Sequence, residues 1–140
     1  LPPPHRAGLP SFRPPQTPPA AAFAMAGFGP DRVDVAEIHD AFAPFELISL
    51  EDTGLFPQGK AGPATLDGQT ALDGRLPINP SGGLKARGHP LAATGLTQIV
   101  ECVWQLTGSV PRRQVQCNVA LAQSIGGPGT NNWVTLLEAR

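Results

Sequence analysis

The run Asn79-Pro80-Ser81-Gly82-Gly83-Leu84-Lys85-Ala86-Arg87-Gly88-His89-Pro90-Leu91-Ala92-Ala93-Thr94-Gly95 sets one imidazole among glycines and prolines, then passes without a linker into a helical pattern. Glycine lets a backbone approach a ligand closely, and a helix behind such a loop holds its side chain in place. Two roles are open to His89: a general base that then helps hold an oxyanion, or a hydrogen-bonded residue of a turn-rich surface loop. A second imidazole stands in His39-Asp40-Ala41-Phe42, between a strand pattern and a helix pattern. His39 can donate to a carbonyl oxygen or orient a water, and it can equally serve the start of the next helix. Asp40 is placed to be the N-cap of that helix. The third cluster is Ser124-Ile125-Gly126-Gly127-Pro128-Gly129. Gly126, Gly127 and Gly129 can turn backbone N–H groups toward an oxygen, and the same glycines make a hairpin turn.

These residues need elements to hold them. Residues 33–38 alternate at period two and predict a strand. A helix follows to about Asp52, with Phe45, Leu47, Ile48 and Leu50 inward and Gly54 just past its end. Residues 55–78 show no periodicity and predict a long surface excursion, of a length that usually serves a function. After the glycine-rich loop, residues 91–106 predict a helix with Leu96, Ile99, Val100, Val103 and Trp104 on its apolar face, ended by Gly108. Residues 115–121 and 133–137 alternate and predict a hairpin. Upstream, residues 1–19 hold eight prolines, which predicts an extended or disordered segment over residues 1–16. Thr17 then caps a helix through Ala26 that is small and apolar all round, hence buried. The order α-β-α-loop-α-β-β predicts one α/β layered domain over residues 17–140.

Composition narrows the function classes. A chain of 140 residues suffices for one domain with a core. A net charge of −1 argues against a nucleic-acid footprint or a polybasic membrane patch. No apolar run approaches the ~18 residues of a membrane span, and the N-terminus lacks a secretory pattern. The two cysteines, Cys102 and Cys117, fall in apolar surroundings and predict buried reduced thiols in a cytoplasmic setting. They form no metal-ligand spacing with the three histidines, so no metal is expected.

Residues 79–95 resemble, almost letter for letter, the NxxGGxxxxGHPxxATG signature of the thiolase superfamily. The HDAF and SIGGPG clusters match in order that family's NEAF or HDCF and CIGGGxG motifs, so the resemblance covers roughly residues 17–138. Histidine rather than asparagine at position 39 makes the chain most similar to the branch of sterol-carrier-protein-type, thiolase-like acetyl-CoA acetyltransferases. The resemblance implies the superfamily's C-terminal half: a mixed sheet with helices on its faces. Its chemistry would be acyl transfer or carbon–carbon bond making and breaking on a coenzyme A thioester, with no bound cofactor. His89 and His39 would be catalytic, with Ser124 at the family's acid/base position. Gly83, Gly88, Gly126, Gly127 and Gly129 would line the substrate.

Departures from the pattern matter as much. The family's nucleophilic cysteine comes from an N-terminal half, which is not in this sequence. Its second cysteine is replaced by Ser124 in one motif and Ala41 in the other. A serine hydroxyl cannot abstract a proton near neutrality without an added base, so ordinary thiolysis is disfavoured. Retro-aldol cleavage or acyl transfer, with another residue moving the proton, stays open. So does a non-catalytic thioester-binding or scaffolding role, or a truncated gene product. An N-terminal thiolase half or accessory subunit is the implied partner, beside acyl-CoA. The resemblance further implies that the sheet lacks its first, central strand, so that residues 33–38 and 115–121 flank a gap.

Overall fold

Helices enclose a three-stranded sheet on both faces, in a computed structural model that describes residues 18–127 and 131–140. The expectations for the proline-rich segment 1–16, for Thr17 and for Gly129 lie outside the described residues. Strand β1 (Val35–Ile38) pairs in parallel with β2 (Val119–Gly126), Val35 opposite Ala120. β2 pairs antiparallel with β3 (Asn131–Glu138), Val119 opposite Glu138, which is the expected hairpin. A single parallel bridge from Ala36 to Ile78 extends the sheet beyond β1. The two strands expected to flank a gap are therefore hydrogen-bonded to each other. Parallel neighbours need a long crossover, and residues 39–118 supply it.

Helices α1 (Pro18–Ala26), α2 (Ala43–Asp52) and α3 (Ala61–Leu66) send Phe23, Leu50, Ala61 and Ala64 into one core with Ala36, Ile38, Val119 and Leu121. Helix α5 (Thr94–Leu106) covers the other face, where Cys102 packs with Val35, Ala120 and Ala122. A sheet covered on both sides is apolar on both sides. All four residues of β1 are accordingly buried, Glu37 among them. The predicted strand at 115–121 starts instead at Val119, with Val115 buried ahead of it. The excursion at 55–78 contains α3, and its end runs alongside β1.

Two helices turn the opposite way from their pattern. Helix α1 buries Phe23 but leaves Met25 90% exposed, so it is a surface helix rather than a buried one. Helix α5 exposes part of its expected apolar face: Leu96 is 63% and Trp104 45% exposed and Val103 is exposed too, while Val100 is half-buried and Ile99 packs against the core. Its buried residues are Thr94, Gln98, Glu101, Cys102 and Gln105. Buried polar groups are tolerable when hydrogen-bonded, and these largely are. Glu101 receives Arg113 Nε at 3.0 Å and Nη2 at 2.8 Å. Gln105 Nε2 donates to Glu101 and to the Arg113 carbonyl, both at 3.0 Å, while its Oε1 accepts the Val115 N–H at 2.8 Å. The polar face thus pins the chain that leads into β2.

This orientation makes opposite forecasts for neighbouring positions. Gln105→Ala strips partners from buried backbone groups and should cost about 1–3 kcal/mol. Leu96→Ala, outward on the same helix, should cost less than about 0.5 kcal/mol. Urea unfolding of the two variants checks the order, and the reverse order would show that the apolar face is the buried one.

Candidate active site

The site begins where β1 ends. His39 follows the last strand residue, is buried, and donates its backbone N–H to Gln123 Oε1 at 3.5 Å. The glycine-rich loop starts alongside the same strand. Asn79 donates its N–H to the Ala36 carbonyl at 2.8 Å, and its side-chain oxygen accepts the Ile38 N–H at 2.7 Å. The loop then makes the short helix α4 (Gly83–Arg87), bounded by Gly82 and Gly88 with φ of +88° and +90°. Such values are costly for residues with a Cβ. His89 follows, and its ring meets that of His39 edge to face, with centroids 5.1 Å apart and planes at 80°.

His89 is oriented from behind. Its Nδ1 shares a hydrogen bond of 2.7 Å with Thr94 Oγ1, at the first turn of α5. The intervening turn, Leu91–Ala93, puts Leu91 at φ +36°, a left-handed backbone that a leucine seldom adopts. His39 has a buried Nδ1 without a partner among the described residues. Burial pushes its titration below the ordinary imidazole range, with the neighbouring His89 and Arg87 acting the same way and Asp40 opposing them. The ring is therefore neutral at pH 7 and can donate one N–H without carrying charge.

Asp40 does not cap α2, whose N-cap residue is Phe42 without a side-chain bond. It reaches across instead, and its Oδ1 accepts the Leu84 N–H of α4 at 2.7 Å. Gly83, at φ +67°, lies so close that an added Cβ would strike the Asp40 carboxylate. The glycine expected to line substrate therefore has a packing reason of its own.

The two imidazoles border a cleft of about 440 Å³ walled by Phe42, Phe45, Leu84, Leu91 and Ile125, with Gly127 at its rim. Gly88 immediately precedes His89, and Gly126 ends β2 opposite Asn131. Ser124 lies elsewhere. It faces α5, where a Cβ on Gly95 would be 3.0 Å from its hydroxyl, and it lines a second cavity with Gln98, Trp133 and Thr135. The two cavities share Leu91 and Ile125 as a partition. Neither cysteine substitutes for the missing thiol: burial raises the Cys102 thiol far above its usual range and raises Cys117 as well. Thiolate, the reactive form, is scarce in both. Among the described residues no three metal-binding side chains cluster.

Residues 11–139 match the family model described as thiolase C-terminal domain-like. The chain belongs to that family. It is 48% identical over 109 residues to an acetyl-CoA acetyltransferase of Methanothermobacter thermautotrophicus, covering 77% of this chain and 28% of that protein. It is 46% identical over 105 residues to sterol carrier protein 2 of Rattus norvegicus, covering 74% of this chain and 19% of that protein. A solved structure described as "Ltp2-ChsH2(DUF35) aldolase" matches 88% of this chain and 31% of its own, with a TM-score of 0.73 at 27% identity. The chain thus spans less than a third of each of these thiolase-like relatives.

Several residues of the site carried no signal in the sequence. Nothing in the sequence singles out Glu37, because a lone glutamate in a strand is mostly exposed, yet it is 1% exposed. Thr94 and Gln98 lie on the polar side of α5 that an amphipathic pattern assigns to water. Gln98 is fully buried, its Nε2 donating to the Gln123 carbonyl at 2.8 Å, while its Oε1 lacks a partner among the described residues.

Two outcomes follow from this geometry. Gly83→Ala should destabilise the chain more than Gly88→Ala. Both positions have positive φ, but only the first meets a side chain, so thermal melts of the pair isolate the Asp40 contact. Burial also pushes the Glu37 carboxyl up from 4.5 to about 7. Between those values the folded chain holds a proton that the unfolded chain releases, so this group's contribution to stability falls as pH rises from about 4.5 to 7. His39, shifted down, works in the opposite sense and loses stability as pH falls below its ordinary value. Glu37→Gln should remove the first dependence, as urea midpoints across pH 4.5–7.5 would report.

Proposed function

We propose that this chain is the C-terminal half of a thiolase-like enzyme that makes or breaks a carbon–carbon bond, or transfers an acyl group, on a coenzyme A thioester. The observation that carries the reading is the His39–His89 pair, edge to face at 5.1 Å on an apolar cleft, in a member of the thiolase C-terminal domain-like family. Thr94 occupies His89 Nδ1, which leaves Nε2 to take a proton from a reacting group. Neutral His39 is suited to donate to the thioester carbonyl as charge develops there. Gly127 borders the same space, and Gly126 borders the neighbouring cavity that holds Ser124. No bound cofactor is required, and acyl-CoA is the substrate.

An N-terminal half, in the same polypeptide or a partner subunit, supplies what is missing, above all a nucleophile. Support comes from the share of the relatives that this chain spans and from the two unreactive thiols. Unpaired cysteines, one of them buried, fit a reducing cytoplasmic setting. A non-catalytic, thioester-binding or scaffolding half is the second reading. The placement of Ser124 in the neighbouring cavity, away from the imidazoles, favours it.

Co-expression with a thiolase N-terminal half, followed by an acyl-CoA assay, separates the two. The catalytic reading expects His89→Ala to lower turnover by roughly 10²–10⁴-fold; turnover indifferent to the change establishes the scaffold. Ser124→Cys tests the vacant acid/base position. Alone, the variant chain should show no thiolysis. With the N-terminal half it should raise exchange between acyl-CoA and free CoA, because a thiol of pKa ~8.5 can be tuned toward neutrality. Substantial thiolysis by the unmodified pair, unchanged by the substitution, would assign the proton work to another group.

A further inference from the structure

Glu37 is the only charged side chain of β1, and its carboxylate is gripped at both oxygens. Oε1 accepts the Ser81 backbone N–H at 3.0 Å, and Oε2 accepts the Ser81 hydroxyl at 2.8 Å and Arg87 Nη2 at 3.3 Å. Ser81 Oγ in turn accepts Arg87 Nε and the Gly83 N–H, each at 3.1 Å. Arg87 Nη1 continues to Thr97 Oγ1 on α5. Glu37 stands two residues before His39, and Arg87 two residues before His89. The carboxylate therefore bridges the two segments that carry the imidazoles.

The entry of the loop does not need this bridge. Ala36 and Ile38 already hold it through Pro77 and Asn79. What the carboxylate adds is a hold on the exit, at Arg87, from which His89 projects. A buried ion pair is weak ground for stability, since removing two charges from water offsets most of their attraction. A side chain kept there at that cost has a geometric use.

We propose that Glu37 is a positioning residue, which sets the separation and mutual orientation of His39 and His89 through Ser81 and Arg87. This deepens the reading of those two imidazoles as a working pair and rests on it. The groups facing Glu37 are Arg87 and Ser81 from the loop and Glu101 from α5. Those facing His39 are His89, Asp40 and Arg87.

The test reads the imidazoles, not turnover. The 140-residue chain, labelled with ¹⁵N-histidine, is compared with Glu37→Gln and Ser81→Ala by NMR across pH 5–9. Both variants should lose the nuclear Overhauser contact between the two rings at pH 8–9, where Glu37 of the parent chain is ionised. In Ser81→Ala the His39 midpoint should also move upward toward its ordinary value, because a loosened loop hydrates the ring and draws Arg87 off. A purely structural role for Glu37 would leave both signals in place in any variant that keeps a dispersed amide spectrum. A folded variant with the ring contact and the wild-type His39 midpoint overturns the proposal. Should Glu37→Gln fail to fold, Ser81→Ala, which removes only the shared hydroxyl, decides it by the same two signals. Since neither signal depends on turnover, an inactive reconstituted enzyme would count against the acyl-CoA reading alone.

Discussion

Between the sheet and α5 runs a layer of buried polar side chains, and the site hangs from it. Gln98 reads the carbonyl of Gln123 on β2, Glu101 holds Arg113, and Gln105 holds Arg113 and Val115. Polar groups this deep have few acceptable partners, so each bond selects one register of helix over strand where an apolar contact would accept several. That register decides where Thr94 falls at the start of α5, and Thr94 decides which way the His89 ring points. On the strand side, the Gln123 side chain lies under the backbone of His39. His39 is thus held by an amide that does not line the cleft, and His89 by a hydroxyl on the helix that this layer positions.

The opposite face of α5 follows from the same choice. With the polar residues turned in, leucine, valine and tryptophan are left outward. A helix in a small isolated domain rarely does this. The chain that leaves this face outward spans less than a third of the relatives it matches.

How much of this was legible depended on which signal each residue carried. Glycines at 83, 88, 126 and 127, together with both histidines, sit in long ordered motifs, so family, fold class and the meeting of His39 with His89 could be read from the chain alone. The hairpin and the end of α2 at Gly54 were legible because turn glycines mark them locally. Burial was not. Helical periodicity implied an inward Leu96, and it failed because polar groups with several partners each outbid the apolar pattern. Strand neighbours failed too, since the direct pairing of β1 with β2 depends on a crossover through residues 39–118 that no local pattern encodes. The role of Asp40 was lost for a similar reason: an aspartate before a helix suggests a cap, and its partner lies 44 residues along the chain.

That partner relation has a consequence for how such a chain can drift. The room that Asp40 occupies against α4 is the room a side chain at position 83 would need. While position 40 carries a carboxylate, a side chain at position 83 must displace it as well as adopt a left-handed backbone. A substitution at 83 therefore costs less once position 40 carries a shorter side chain, and the two positions, though far apart in sequence, are energetically coupled rather than independent.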